Sequence, residues 1–131
     1  MLEVNLLGVI AATLVGMLLG ALWYSSIAFG GAWMKCVGKT PETLGKQTAP
    51  LVGSIISSLL TAVGVSLLFS LLNVSNFVTA ISIGAILGFL VIFPALLSDN
   101  LFCGWGSKLL IIQSGYRVVS VFLMSLVIYL V

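Results

Sequence analysis

With 131 residues, 61% of them hydrophobic, only 6% charged and a net charge of +2, this chain cannot present a water-facing surface, because soluble domains are about one quarter charged. It has no basic run interleaved with aromatics, so nucleic acid is not an expected partner. It also has no His, and Cys36 and Cys103 lack C-x-x-C spacing, so neither a metal nor a cofactor is expected.

A membrane-spanning helix takes about 20 apolar residues, and four such segments fit the chain. The expectation is an all-α, integral membrane four-helix bundle forming one transmembrane domain over 1–131. The first span is expected over 5–29, ending in the aromatic cluster Trp23, Tyr24, Phe29 and Trp33. Its start lacks the basic region of a signal peptide and its apolar run is too long for one, so it reads as a retained span. A polar loop over 30–49 follows, carrying Lys35, Lys39, Glu42 and Lys46. Thr40-Pro41-Glu42 has the order of an N-cap, a proline at the first helical position and an acid in the first turn, so a helix is expected to begin there. That helix would run into the second span over 51–72, with Pro50 a candidate kink at the membrane entrance.

Asn73 to Asn76 reads as a tight uncharged turn. Its Asn-Val-Ser matches a glycosylation acceptor, but so short a turn beside the bilayer is a poor site. The third span is expected over 77–98, with Pro94 near its end. Asp99-Asn100 should then open a second loop containing Cys103-Gly104-Trp105-Gly106 and Lys108. Gly104-Trp105-Gly106 lacks the strand-to-helix setting of a phosphate loop and reads as an interfacial turn. The fourth span is placed over 110–131.

All five basic residues, Lys35, Lys39, Lys46, Lys108 and Arg117, then fall toward one side. Lys and Arg near span ends are retained in the cytoplasm, so the basic loops are expected inside and both termini outside. Trp23, Tyr24, Trp33, Trp105 and Tyr116 gather at the same interface, as an aromatic belt would. The two cysteines also map there, where thiols stay reduced.

Membrane helices associate through close packing and polar contacts, and small residues four apart make a groove for it. The first span has Gly8, Ala12, Gly16 and Gly20 at that spacing; the second has Ser54, Ser58, Ala62, Ser66 and Ser70; the third has Ala80, Gly84 and Gly88. Packing within one bundle and pairing in a homodimer both fit such stripes. Gly16, Gly20, Ser58, Ala62, Gly84 and Gly88 are the packing residues singled out.

Arg117 is followed by too few residues to cross the bilayer core from its own position: about 21 Å of helix against roughly 30 Å. It either snorkels to the inner interface or pairs with Asp99, with Tyr24 and Gln113 as further contacts, to line a polar vestibule or grip an anionic headgroup. Arg117, Asp99, Trp23, Tyr24 and Tyr116 are therefore the candidate binding cluster. No carboxylate lies inside any span, which weighs against proton-coupled transport. With no His as base and no Gly-x-Ser-x-Gly, no catalytic residue is assigned and an enzyme is not expected.

The run Gly20-Ala21-Leu22-Trp23-Tyr24-Ser25, continued by Phe29-Gly30 and Ala32-Trp33-Met34, resembles the G-x-x-W-Y-S-P-x-x-F-G-x-x-W signature of the bacterial Domain of Unknown Function 1761 family. Leu87-Gly88-Phe89, Asn100-Leu101-Phe102 and Gly115-Tyr116 follow in the family's order. Ser26 stands where that family usually has proline and Gly31 where a lysine is common, so the first helix is expected to run on past Tyr24. The resemblance implies a small four-helix protein of the bacterial inner membrane and brings no catalytic residues with it.

The leading expectation for function is non-enzymatic association, with membrane lipid, with itself as a homodimer or with another membrane protein. An oligomeric small-solute transporter or channel is the alternative, since a bundle this thin encloses no wide aqueous path. A lipid-headgroup enzyme at the inner interface is weaker. A transporter requires Arg117, Asp99 and the serine stripe to share a cavity, whereas an association protein requires a packed, dry core.

Overall fold

A computed structural model describes all residues, Met1–Val131. The elements in chain order are α1 (Leu6–Trp23), α2 (Gly30–Val37), α3 (Thr48–Leu71), α4 (Phe77–Ile86), a π-helical segment (Leu87–Ile92), α5 (Phe93–Cys103) and α6 (Ser107–Leu130). The stretch from α4 through the π segment to α5 is one span of 27 residues, so four helices are long and apolar enough to cross a membrane.

Local chemistry sets the boundaries. The side chains of Asn5 and Asn76 cap α1 and α4, accepting the N–H groups of Gly8 and Thr79, each at 2.9 Å. The first helix does not run on to 29: it stops at Trp23 even without a proline at position 26. The chain turns back on itself there, with Phe29 N–H donating to Trp23 O at 2.9 Å and Gly30 N–H to Ser25 O at 3.0 Å. A Cβ at Gly30 would strike the backbone oxygens of Tyr24 and Ser25, so the turn back has room only for glycine at this position.

The polar loop contains α2, which the sequence did not signal, and α3 starts at Thr48 rather than at Thr40. Thr40 and Thr43 instead close on each other: Thr40 N–H donates to Thr43 Oγ1 at 2.8 Å and Thr43 N–H to Thr40 O at 3.1 Å. The N–H of Glu42 itself and the Thr40 hydroxyl hold the Glu42 carboxyl below its ordinary pKa. Gly45, at φ +79°, ends this turn before a helix can begin. Pro50 falls in the first turn of α3, where its missing N–H has no helical partner to lose, so it breaks no intrahelical bond.

Pro94 has the larger effect. It removes the N–H that would bond Leu90 O, and its ring crowds that carbonyl. The preceding turn widens, and Phe93 N–H reaches back to Gly88 O, five residues away. Asp99 and Asn100 lie inside α5 rather than opening a loop. Only Gly104–Gly106 separate α5 from α6, because both glycines adopt positive φ (+67° and +90°) and the Asn100 side-chain amide donates to Gly106 O at 3.0 Å.

Helix α6 is the hub: it packs against α1, α3 and the whole third span, while α1 also packs on α3. Within its apolar window 44% of residues are buried, against 22% for each other span. The core cluster is Val9, Ala12, Ala62, Val65, Val121, Met124 and Ile128. Only 23 of 131 residues are buried in all, so most apolar side chains, such as Leu7, Ile10, Leu14 and Leu18 along α1, face outward as lipid contact requires.

Candidate functional site

The family run at the end of α1 builds a clamp between α1, α2 and α6. Trp23 donates its indole N–H to Ile112 O at 3.0 Å, and Tyr116 donates its hydroxyl to Gly16 O at 3.0 Å. Tyr24 stands edge-on to both Trp33 and Tyr116, with centroids 5.8 Å and 5.5 Å apart. Trp23 also packs on Phe29 at 4.8 Å. Glycines make these approaches affordable in space: a Cβ at Gly20 would sit 3.0 Å from Tyr116 Oη, and one at Gly115 would sit 2.9 Å from Trp23 Cζ2.

Beside this clamp, between α1, α3 and α6, lies a pocket of ≈ 340 Å³ whose lining includes Tyr24, Gln47, Ser54, Tyr116 and Arg117. The Arg117 guanidinium carbon stands 5.2 Å from the centroid of the Tyr116 ring, within cation–π range. No acidic residue lines the pocket, and Asp99 is exposed on α5, away from it. The structure thus brings together Arg117, Tyr24 and Tyr116, sets Trp23 behind them as a brace, and leaves Asp99 out.

The Trp23–Ile112 bond also places Arg117 in depth. It aligns the end of α1 with Ile112, so α6 projects past α1 by about 8 Å. Arg117 then lies about 8 Å along α6 from the level of the end of α1. Counting residues to the end of the chain could not show this, because the offset between α1 and α6 is set by a contact between distant residues, Trp23 and Ile112.

The packing stripes resolve into different partners. Gly16 and Gly20 face Met124 and Tyr116, and Gly84 and Gly88 face Phe122, Ser125 and Val118, so both glycine pairs serve α6 of the same chain. Ser58 and Ala62 are buried, and Ser58 Oγ donates weakly to Met17 Sδ at 3.6 Å. Ser66 and Ser70 instead accept the N–H groups of Asn5 and Glu3, at 2.8 Å and 2.9 Å, strapping the residues before α1 across the far end of α3. Ser125 Oγ is buried without a partner against Gly84.

Gln47 and Ser54 are pocket residues that sequence reasoning missed. A helix start placed at Thr40 would have carried Gln47 up the helix, and Ser54 read only as part of a packing stripe. No group of His, Cys, Asp or Glu capable of holding a metal is present.

A four-span bundle carrying the aromatic and glycine run at a helix break, with the Gly-Tyr pair opposite it on α6, is what the family signature describes in three dimensions. Residues 7–129 match the model of a family described as a protein of unknown function, DUF1761, and the chain belongs to that family. No curated protein and no solved structure matches the chain.

Proposed function

We propose that this protein is a non-enzymatic, multi-pass resident of the bacterial inner membrane, with its basic loops cytoplasmic and both termini outside, and that it associates with lipid by holding an anionic headgroup in the Arg117 pocket. The observation that carries this reading is an unpaired guanidinium on the wall of a pocket that has no carboxylate. A charge at this depth seeks a counter-ion, and Gln47, Ser54 and Tyr24 supply neutral hydrogen-bonding groups around it. The adjoining wall of Met17, Ala21, Pro50 and Leu51 is apolar, suited to the glycerol and upper acyl region of the same lipid. Phosphate and carboxylate accept the guanidinium fork in the same way, and the phospholipids already surrounding the pocket supply phosphate.

Native mass spectrometry from mild detergent, after incubation with equal phosphatidylglycerol and phosphatidylcholine, tests this reading. Wild-type protein should retain phosphatidylglycerol selectively, Arg117→Gln should lose the preference, and Lys35→Gln, outside the pocket, should keep it. Equal retention of both lipids by the wild type would end the lipid reading.

A further inference from the structure

The Arg117 pocket holds more than a charge, and its neutral groups are already committed in one direction. Ser54 donates its hydroxyl to Pro50 O at 2.8 Å. Gln47 turns its Nε2 to Leu44 O and Gly45 O, at 3.4 Å and 3.3 Å. Tyr116 donates its hydroxyl to Gly16 O and offers the pocket only its ring. With their hydrogens engaged inside the chain, Ser54 Oγ and Gln47 Oε1 keep lone pairs that no group of the protein fills. The Tyr24 hydroxyl completes the polar lining and can donate or accept.

Two different demands therefore meet in one recess. The guanidinium of Arg117 has donors only and needs an anion, whereas Ser54 and Gln47 need donors from the ligand. Gln47 stands at the start of α3 and Ser54 about 10 Å further along it, so the acceptors line the α3 wall while the charge stands on α6. A phosphate flanked by hydroxyl groups meets both demands. An ammonium would also donate to the acceptors, but it would share the recess with a guanidinium and find no carboxylate there. At ≈ 340 Å³ the pocket is close to the lower end for small-molecule sites, about 300 Å³, which suits a headgroup of a few carbons.

We propose that the pocket selects, among anionic phospholipids, those whose phosphodiester carries a small hydroxylated headgroup, as in phosphatidylglycerol, and rejects those whose headgroup carries an amine. The inference rests on the lipid reading of the same pocket and specifies its ligand. Net charge does not make this choice, because phosphatidylserine and phosphatidylglycerol bear the same one. The guanidinium takes the phosphate, bidentately where the fork allows, and the headgroup hydroxyls donate to Ser54 Oγ and Gln47 Oε1. The apolar wall of Met17, Ala21, Pro50 and Leu51 favours a lipid over a soluble phosphate ester as the source, since only a lipid brings carbon to cover it.

The test is native mass spectrometry from mild detergent after incubation with equal phosphatidylglycerol, phosphatidylserine and phosphatidylcholine. Wild-type protein should retain phosphatidylglycerol about tenfold over phosphatidylserine, the size expected of one or two net hydrogen bonds. Gln47→Ala and Ser54→Ala should each narrow that ratio, and narrow it more than the ratio of phosphatidylglycerol to phosphatidylcholine, which Arg117 governs. Both side chains are exposed in the bundle, so alanine removes little packing. Lys35→Gln should leave both ratios as they are. Deacylated glycerophosphoglycerol at the same concentration should not displace the lipid, and full displacement would overturn a lipid as the ligand. Equal retention of phosphatidylglycerol and phosphatidylserine, both above phosphatidylcholine, or a ratio indifferent to both alanine variants, overturns the headgroup selection and leaves the anionic-lipid reading standing. Equal retention of all three lipids ends both readings.

Discussion

At the residue scale, one tyrosine and one glycine hold the pocket in place. Tyr116 is buried, bonds Gly16 O and offers its ring to Arg117. Interhelical hydrogen bonds in membranes average about 0.6 kcal/mol, so Tyr116→Phe should lower stability by only about that amount in a reversible detergent unfolding assay. It keeps the ring and should leave lipid selectivity intact. Gly30 is far less forgiving, because the atoms its Cβ would strike are the backbone oxygens of Tyr24 and Ser25. Gly30→Ala should cost about 1–3 kcal/mol, as overpacking does, and should quench or shift the Trp23 and Trp33 fluorescence as the α1–α2 turn opens. Unchanged emission and stability would mean that this turn does not depend on the glycine. The run that carries the family resemblance therefore has a mechanical explanation: its aromatics and glycines brace a break in the chain.

At the element scale, glycines of similar appearance in sequence have different consequences. A Cβ at Gly84 would meet Phe122 Cα at 3.0 Å, which is backbone and cannot yield, whereas at Gly16 the nearest atom is the flexible end of Met124. Gly53 and Gly64 on α3 have nothing within 4 Å. Gly84→Ala should therefore destabilise by about 1–3 kcal/mol, and Gly53→Ala should be neutral or stabilising by up to about 1 kcal/mol, through helix propensity alone. Thermal denaturation in one detergent, followed by circular dichroism, compares them. Equal melting temperatures for the two variants would refute the assigned packing of α4 on α6. The glycine pairs of the first and third spans pack on α6 of the same chain, so they are not free to make a homodimer. The period of small residues was visible in the sequence, but not the identity of the helix each stripe meets.

At the scale of the whole molecule, α6 organises everything else, and the third span touches the bundle chiefly through it. The break after α1 and the turn between α5 and α6 lie at the same end of the bundle, so Cys36 on α2 and Cys103 at the end of α5 share one face. In the proposed orientation that face is cytoplasmic. A membrane-impermeant maleimide should then label both cysteines in inverted vesicles and neither in intact right-side-out ones. Labelling of right-side-out vesicles would reverse the orientation, and labelling of one cysteine from each side would break the four-span topology itself.

Composition and hydropathy alone determined that this chain is a helical membrane protein with four spans, because desolvating backbone and charge in lipid leaves so few arrangements. The aromatic and glycine run from Gly20 to Met34 was likewise legible as a motif, whereas the capping roles of Asn5 and Asn76 and the helix break after Trp23 were not. The start of α3 was not, because Thr40 satisfies either a helix cap or a closed turn, and Gly45 and the Thr43 hydroxyl favour the turn. Nor was the π segment, whose wide turn answers to Pro94 further along the chain. The Arg117 pocket belongs to tertiary structure entirely. Its depth depends on the offset between α1 and α6, its lining comes from three helices, and the exclusion of Asp99 from it follows from where α5 ends. Such distances arise only when separate helices are brought together, and no local pattern of residues encodes them.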